Sequence, residues 1–318
     1  MNRARNAQVK EICSANPVPY FVDGMWSLGS APAIAVIDPA NGQPVCEVAC
    51  ADVSEVDRAV RAARQAFDHG PWPKLRPDER ARALERWASL VERDSEVLAE
   101  LETLQTGKPI RESRGDVARA LDGIRFYAAS ARNIRGEVID VSDQHHSYVV
   151  SSPIGVVAAI VPWNVPIVLT ISKAAPALAA GNCVVVKPSQ TTPLTALHLA
   201  KLWEEADLPR GVYNVINGPG RSVGEALCLH PLVTGITFTG GTDTGLHLGE
   251  LAARQNKRVM LELGGKSPNI VLADADLQKA IPGSANAIFY GQGQICAAGS
   301  RLLVEDAVFD QVVDGIIK

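Results

Sequence analysis

The 318-residue sequence has no apolar run long enough to cross a bilayer. A spanning helix needs about 20 such residues. The longest run, IGVVAAIVPW at 154–163, reads instead as a buried strand. The N-terminus (MNRARNAQVKEICSANP) has basic residues but no apolar core, so no secretory signal peptide is expected in it. Charge of one sign is also lacking. A net charge of −4 gives no long-range pull toward nucleic acid or an anionic membrane. Metal-binding patterns are missing: the six cysteines (13, 46, 50, 183, 228 and 296) show no zinc-like spacing with histidine partners, and Cys46-x₃-Cys50 has no second pair. No metal is expected. Cys183 and Cys228 sit in apolar segments and read as buried free thiols. Disulfides are not expected, and the expected compartment is the reducing cytoplasm. His198, His230 and His247 fall in stretches read as helical, so a papain-like cysteine–histidine pair fits poorly. The G-x-G-x-x-G dinucleotide fingerprint is absent, as are repeats and low-complexity linkers.

What is present is ordinary globular composition, 47% hydrophobic and 21% charged. Its length suits roughly two domains. Residues 18–50 read as short strands around the DPANGQP turn. An amphipathic helix is expected over Val53–Asp68 with Ser54 as N-cap. Two long helices follow, at Pro77–Glu102 and Glu112–Ile134, separated by the TGKP turn. Leu84, Trp87, Leu90, Val91, Leu98 and Leu101 recur at helical spacing and belong to the core. Segment 135–153 reads as a hairpin with His145 and His146 in its turn. From Gly155 onward, valine- and isoleucine-rich strands at 155–161, 183–189, 212–217 and 235–240 alternate with helices. That pattern predicts a doubly wound, largely parallel α/β sheet.

Three stretches carry chemistry. YGQGQICAAGSR (290–301) leaves the Cys296 thiol among small residues. LELGGKSPNIV (261–271) ends an apolar run with Glu262. PWNVP (162–166) places Asn164 just after a strand. A thiol nucleophile, a carboxylate base and an amide donor are the parts of acyl-thioester chemistry. Two glycine turns, NGPGRSVG (217–224) and TGGTDTG (239–245), end neighbouring strands. Backbone amides at such turns hold anions, helped by the following helix N-terminus. Lys187, at the end of CVVVK, is placed to meet a ribose hydroxyl or a phosphate; a lysine lying along the surface is the competing reading.

The ordered set PWNVP, GNCVVVKPS, FTGGTDTG, LELGGKSPNIV and GQGQICAAGSR resembles the NAD(P)-dependent aldehyde dehydrogenase superfamily, from about Tyr20 to Lys318. The resemblance implies a Rossmann-like domain over residues 1–258, with 135–153 as its oligomerisation hairpin, and an α/β catalytic domain that begins at 259. It implies oxidation of an aldehyde to a carboxylic acid with NAD or NADP as cofactor. Cys296 would be the nucleophile, and Asn164 with the Cys296 backbone N–H the oxyanion hole. Glu262 would activate water and Lys173 would relay protons. For the cofactor, Lys187, Ser189 and Gln190 would face the adenosine ribose. Gly220, Gly240, Gly241 and Gly245 would surround the adenine and pyrophosphate. Leu263 and Gly264 would line the nicotinamide pocket, with Pro162 and Trp163 nearby.

The sequence departs from the family pattern in three places. Gln190 stands where the family usually has a glutamate, which removes a charge that repels a 2′-phosphate and makes NADP admissible. Gly241 replaces a serine that meets the pyrophosphate. The family's C-terminal third, which supplies an E-x-F-G-P glutamate, much of the catalytic sheet and the strand that meets the hairpin, has no counterpart here. The expectation is a C-terminally truncated enzyme with unpaired strand edges from Val259 onward, doubtful as a homo-oligomer. The alternative reading is an inactive remnant that binds nucleotide or associates with full-length relatives. The aldehyde itself is left open among aliphatic, ω-amino and aromatic classes.

Overall fold

Two near-continuous valine-rich runs, 156–160 and 183–187, are buried at every position. Only a strand covered on both faces tolerates that pattern. In the computed structural model, which describes residues 6–318, these runs are central strands of a seven-stranded sheet. The strands in chain order are β1 (Tyr20–Val22), β2 (Met25–Ser27), β3 (Ala31–Asp38), β4 (Gln43–Cys50), β5 (Glu137–Ser142), β6 (His145–Val149), β7 (Val156–Ile160), β8 (Cys183–Lys187), β9 (Tyr213–Val215), β10 (Val233–Gly240), β11 (Arg258–Leu263), β12 (Pro268–Val271) and β13 (Arg301–Val304). The large sheet runs β11-β10-β7-β8-β9-β1-β2. Its first five members are parallel, and β1 joins β9 antiparallel, so a short hairpin extends the expected parallel sheet. From β7 the chain winds outward through β8 and β9, then returns to the other side of β7 as β10. The topological switch therefore lies between β7 and β10, where such folds place their ligands.

Four local expectations are corrected. The Val53–Asp68 helix is capped by Asp52, not Ser54. Asp52 accepts from the Glu55 N–H at 3.0 Å while the Glu55 carboxylate accepts from the Asp52 N–H at 2.9 Å. A cap two residues earlier puts a glutamate at the third helical position and closes the reciprocal box. The single helix expected over 77–102 is two, Pro77–Arg93 and Ser95–Thr106. They part at buried Asp94, whose carboxylate meets His198 Nε2 at 2.7 Å and Arg93 Nε at 2.7 Å. Burial works against that charge, yet the hydrogen bonds from His198 and Arg93 hold the carboxyl well below its usual range. Lastly, His145 and His146 open β6 rather than occupy the hairpin turn, and His230 caps the Glu225–Leu229 helix from outside it.

The core lies where helices cover the sheet. Trp72, Trp87, Trp203 and Tyr213 are fully buried and packed ring to ring, with centroids 5.4–5.6 Å apart. Their indole N–H groups are satisfied by backbone carbonyls, Trp72 by Leu178 at 3.2 Å and Trp87 by Leu199 at 3.1 Å. A buried indole needs such a partner. The β5–β6 hairpin projects away from this core, with Val138 and Tyr148 exposed. Strand β11 spans the point where the second unit was expected to begin and is hydrogen-bonded into the large sheet as its edge. Among the described residues it pairs only with β10, and Val259 and Met260 are exposed. Outside that sheet, β12 and β13 form a separate parallel pair beside the Leu277–Phe289 helix. Among the described residues no helix is long and apolar enough to cross a membrane.

Candidate active site

The PWNVP turn leaves the end of β7 and enters the Pro166–Ala179 helix, with Pro166 in the first turn, where its missing N–H is harmless. The turn is fixed from below: buried Glu102 accepts from the Ile167 N–H at 3.2 Å. Asn164 is thereby held at the end of the sheet, and its Nδ2 donates to the Gln294 carbonyl at 2.6 Å. That bond uses one of its two amide hydrogens, and the other has no partner among the described residues. Asn164 Oδ1 is buried with no partner among the described residues. The contact spans 130 residues of sequence and brings Asn164 to the loop that carries Cys296.

That loop follows the Leu277–Phe289 helix and contains three successive left-handed residues, Gly291, Gln292 and Gly293. Of the six cysteines, only Cys296 is exposed; the other five are buried. The Cys296 carbonyl lies against Gly265, where an added Cβ would sit 3.1 Å from it. This joins the Cys296 loop to the turn that leaves β11, three residues beyond Glu262. Glu262 is exposed, opposite Thr239 in the β10–β11 ladder. Lys173 rises from the Pro166–Ala179 helix beneath, its Nζ donating to Thr237 Oγ1 at 3.3 Å. Burial lowers the Lys173 pKa to about 8, and the nearby Glu262 charge pulls it the other way. The structure thus draws Asn164, Cys296 and the 262–265 turn together, with Lys173 under Glu262.

A crevice of about 520 Å³ opens at the switch between β7 and β10. Ile160 and Phe238, from the ends of those strands, form its apolar floor, and Gly220, Gly224 and Thr244 belong to its walls. The glycines fit a bound dinucleotide. A Cβ at Gly220, Gly241 or Gly264 would project into open space, so the backbone there is bare for close approach. Gly241 is the N-cap of the Thr242–Arg254 helix and offers no side-chain cap, which leaves the first amides of that helix available. Gly240 and Gly245 serve packing instead: added Cβ atoms would strike the Phe238 ring at 2.4 Å and Leu263 at 2.3 Å.

Lys187 is buried at the end of β8, with Nζ donating to the Pro188 carbonyl at 3.0 Å and its stem passing beneath Gly224. It is no surface lysine. Burial lowers its pKa to about 8, opposed by Cys50. Ser189 shares a hydroxyl contact with Thr191 at 2.9 Å, and Gln190 is exposed beside it. Pro162 is half-buried, and Trp163 is exposed at a second cavity of about 440 Å³ that Gln294 also lines. Sequence reasoning missed Arg221, Glu225, Asp243 and His247 on the crevice walls. Arg221 and Asp243 lay inside the two quoted glycine turns; Glu225 and His247 carry no motif of their own.

A doubly wound sheet with a crevice at its switch point is the arrangement in which α/β folds place their ligands. A profile described as the aldehyde dehydrogenase family matches residues 26–318, and the chain belongs to that family. It is 44% identical over 301 residues to a betaine aldehyde dehydrogenase of Bacillus subtilis, covering 94% of this chain and 61% of that protein. It is 46% identical to the NADP/NAD-dependent aldehyde dehydrogenase PuuC of Escherichia coli, over 92% of this chain and 60% of that one. Among solved structures, the NAD⁺ complex of a Bacillus cereus aldehyde dehydrogenase superposes with a TM-score of 0.97 at 37% identity, covering 100% of this chain and 65% of that one. The chain therefore spans about 60% of the length of the curated relatives it matches. Aldehyde dehydrogenases use NAD or NADP.

Proposed function

We propose that this chain carries the site of an aldehyde-oxidising, NAD(P)-linked enzyme acting through Cys296. The single observation that carries the reading is the Asn164–Gln294 contact, which delivers an amide donor to the loop of the one exposed thiol. The Cys296 thiolate adds to the aldehyde carbon to form a thiohemiacetal. The free Asn164 amide hydrogen and the Cys296 backbone N–H meet the developing oxyanion, where each such donor is worth roughly 10²–10³ in rate. A nicotinamide ring, when bound, accepts the hydride. Glu262 then takes a proton from water that attacks the thioester. Lys173, with its lowered pKa, accepts or returns protons beneath Glu262. For the cofactor, the bare Gly220 and Gly241 backbones, the start of the Thr242–Arg254 helix and buried Lys187 would hold the adenosine and pyrophosphate. Neutral Gln190 leaves room for a 2′-phosphate.

The test is growth of reduced-nicotinamide absorbance with a short aldehyde, beside acylation of Cys296 by p-nitrophenyl acetate without cofactor. Asn164→Ala is expected to slow acylation by ~10²–10³ while leaving alkylation by iodoacetamide unchanged. Equal acylation in the variant refutes the oxyanion assignment. A second reading, nucleotide binding without turnover, is favoured by the uncovered β11 edge that bears Glu262. Cofactor binding with no reduced nicotinamide formed supports it.

A further inference from the structure

The segment just before the nucleophile is strained and tied. Gln292 adopts φ +56°, a left-handed conformation costly for a residue with a side chain, directly after Gly291 at φ +58°. Such backbone persists only where surrounding contacts over-determine it. Those contacts converge on one helical corner. Gly291 N–H donates to Glu112 Oε2 at 2.9 Å, and Gln292 Nε2 donates to the Gly107 carbonyl at 3.0 Å. Tyr290 OH donates to Asp116 Oδ1 at 2.8 Å. Asp116 is itself fully buried and locked by the Lys108 ammonium at 2.6 Å on its other oxygen.

The same corner holds the opposite side of the cleft. Glu102, at its near end, accepts from Ile167 N–H, Thr195 Oγ1 and Gln105 Nε2 at 3.2, 3.0 and 3.1 Å. Asn164 stands three residues before Ile167, and Cys296 four residues after Gln292. The two groups that must face one carbonyl are thus referenced to a single rigid block, residues 102–116.

We propose that this corner positions the nucleophile loop: Glu112 and Asp116 hold the strained 290–292 backbone so that the Cys296 thiol meets the carbon, and the Asn164 amide the oxygen, of one carbonyl group. The proposal rests on the roles given to Cys296 and Asn164 above. Glu112 and Asp116 touch no reacting atom and act through the loop.

Ester acylation and alkylation of the thiol separate positioning from mere exposure. In acylation the thiolate attacks the p-nitrophenyl acetate carbonyl, a C–S bond forms, the C–O bond breaks and p-nitrophenolate leaves, with an oxyanion developing on the way. Alkylation by iodoacetamide displaces iodide and needs no oxyanion hole. Glu112→Ala is expected to slow acylation about tenfold, as small misplacements do, with alkylation unchanged. Glu112→Gln keeps an acceptor for the Gly291 N–H and is expected to restore acylation. Amide hydrogen exchange over 290–296 is expected to quicken in Glu112→Ala and in Tyr290→Phe, and not in Glu112→Gln. The proposal is overturned if acylation and alkylation fall together, if Glu112→Gln behaves as Glu112→Ala, or if exchange over 290–296 is unchanged. If the native chain is never acylated at Cys296, the assigned roles of Cys296 and Asn164 fail. The exchange comparison then still decides whether the corner tethers the loop.

Discussion

A thiol titration of the native chain puts the site to a quantitative test. The perturbation is a colorimetric disulfide reagent at mildly alkaline pH, applied before and after unfolding. Cys13, Cys46, Cys50, Cys183 and Cys228 have relative exposures of 7%, 7%, 1%, 0% and 1%. Burial pushes the Cys183 and Cys228 thiols from 9.0 up to about 12. Three pH units remove about a thousandfold of their thiolate, the species that reacts. Access demands opening as well. At a global stability of about 5 kcal/mol, the open fraction is roughly 10⁻³–10⁻⁴. For Cys46, a hydrogen bond with Cys13 and then burial push the thiol up in the same direction. Native protein is therefore expected to release one fast equivalent of chromophore and five more only in denaturant. Cys296→Ser should lose the fast equivalent alone. A second fast equivalent in native protein, or a fast equivalent that survives Cys296→Ser, refutes the reasoning.

Two further outcomes follow from the crevice and the corner. With Gln190 neutral, NADPH and NADH binding followed by fluorescence should differ by less than about a hundredfold, or ~2.7 kcal/mol. Gln190→Glu should weaken NADPH selectively, and equal weakening of both would count against the ribose-side placement. Glu102 is fully buried, and desolvation raises its pKa from 4.5 to about 7, with the Lys108 charge pulling down. Between those values the folded chain keeps a proton that the unfolded chain loses. Its stabilising contribution is therefore complete below pH about 4.5 and is lost as pH rises through about 7. Thermal melts across that window should slope less steeply for Glu102→Gln than for the parent, and identical slopes would remove Glu102 as the cause.

The strands were legible because their apolar runs are local. VVAAI and CVVVK say buried on both faces without help from elsewhere, and β7, β8, β9 and β10 lie where the pattern put them. The break at Asp94 was illegible for the opposite reason. The leucines on either side keep helical spacing, and the force that interrupts them is a histidine 104 residues away. The site divides in the same way. Cys296, Glu262 and Asn164 stand in short, recognisable neighbourhoods. The carboxylates that hold those neighbourhoods, Glu102, Glu112 and Asp116, look in sequence like ordinary charges of amphipathic helices. Asp116 meets Tyr290 across 174 residues, and only folding reveals the pairing. Lys187 shows how burial decides between readings: strand-end position alone suits a surface lysine equally well, and its 4% exposure excludes that.

The ring-packed cluster of Trp72, Trp87, Trp203 and Tyr213 divides the protein's emission into two optical reporters. Three of the five indoles are sealed among one another, so their blue-shifted light tracks loss of the whole interior. The other two are open to solvent: Trp163, on the turn that bears Asn164, is 47% exposed, and Trp26, on the β2 edge strand, is 36% exposed. Quenching by iodide reaches the second kind and spares the first. With Trp26→Phe removing the other exposed indole, a single cuvette can therefore tell a change at the Asn164 turn from a melted interior without any added dye.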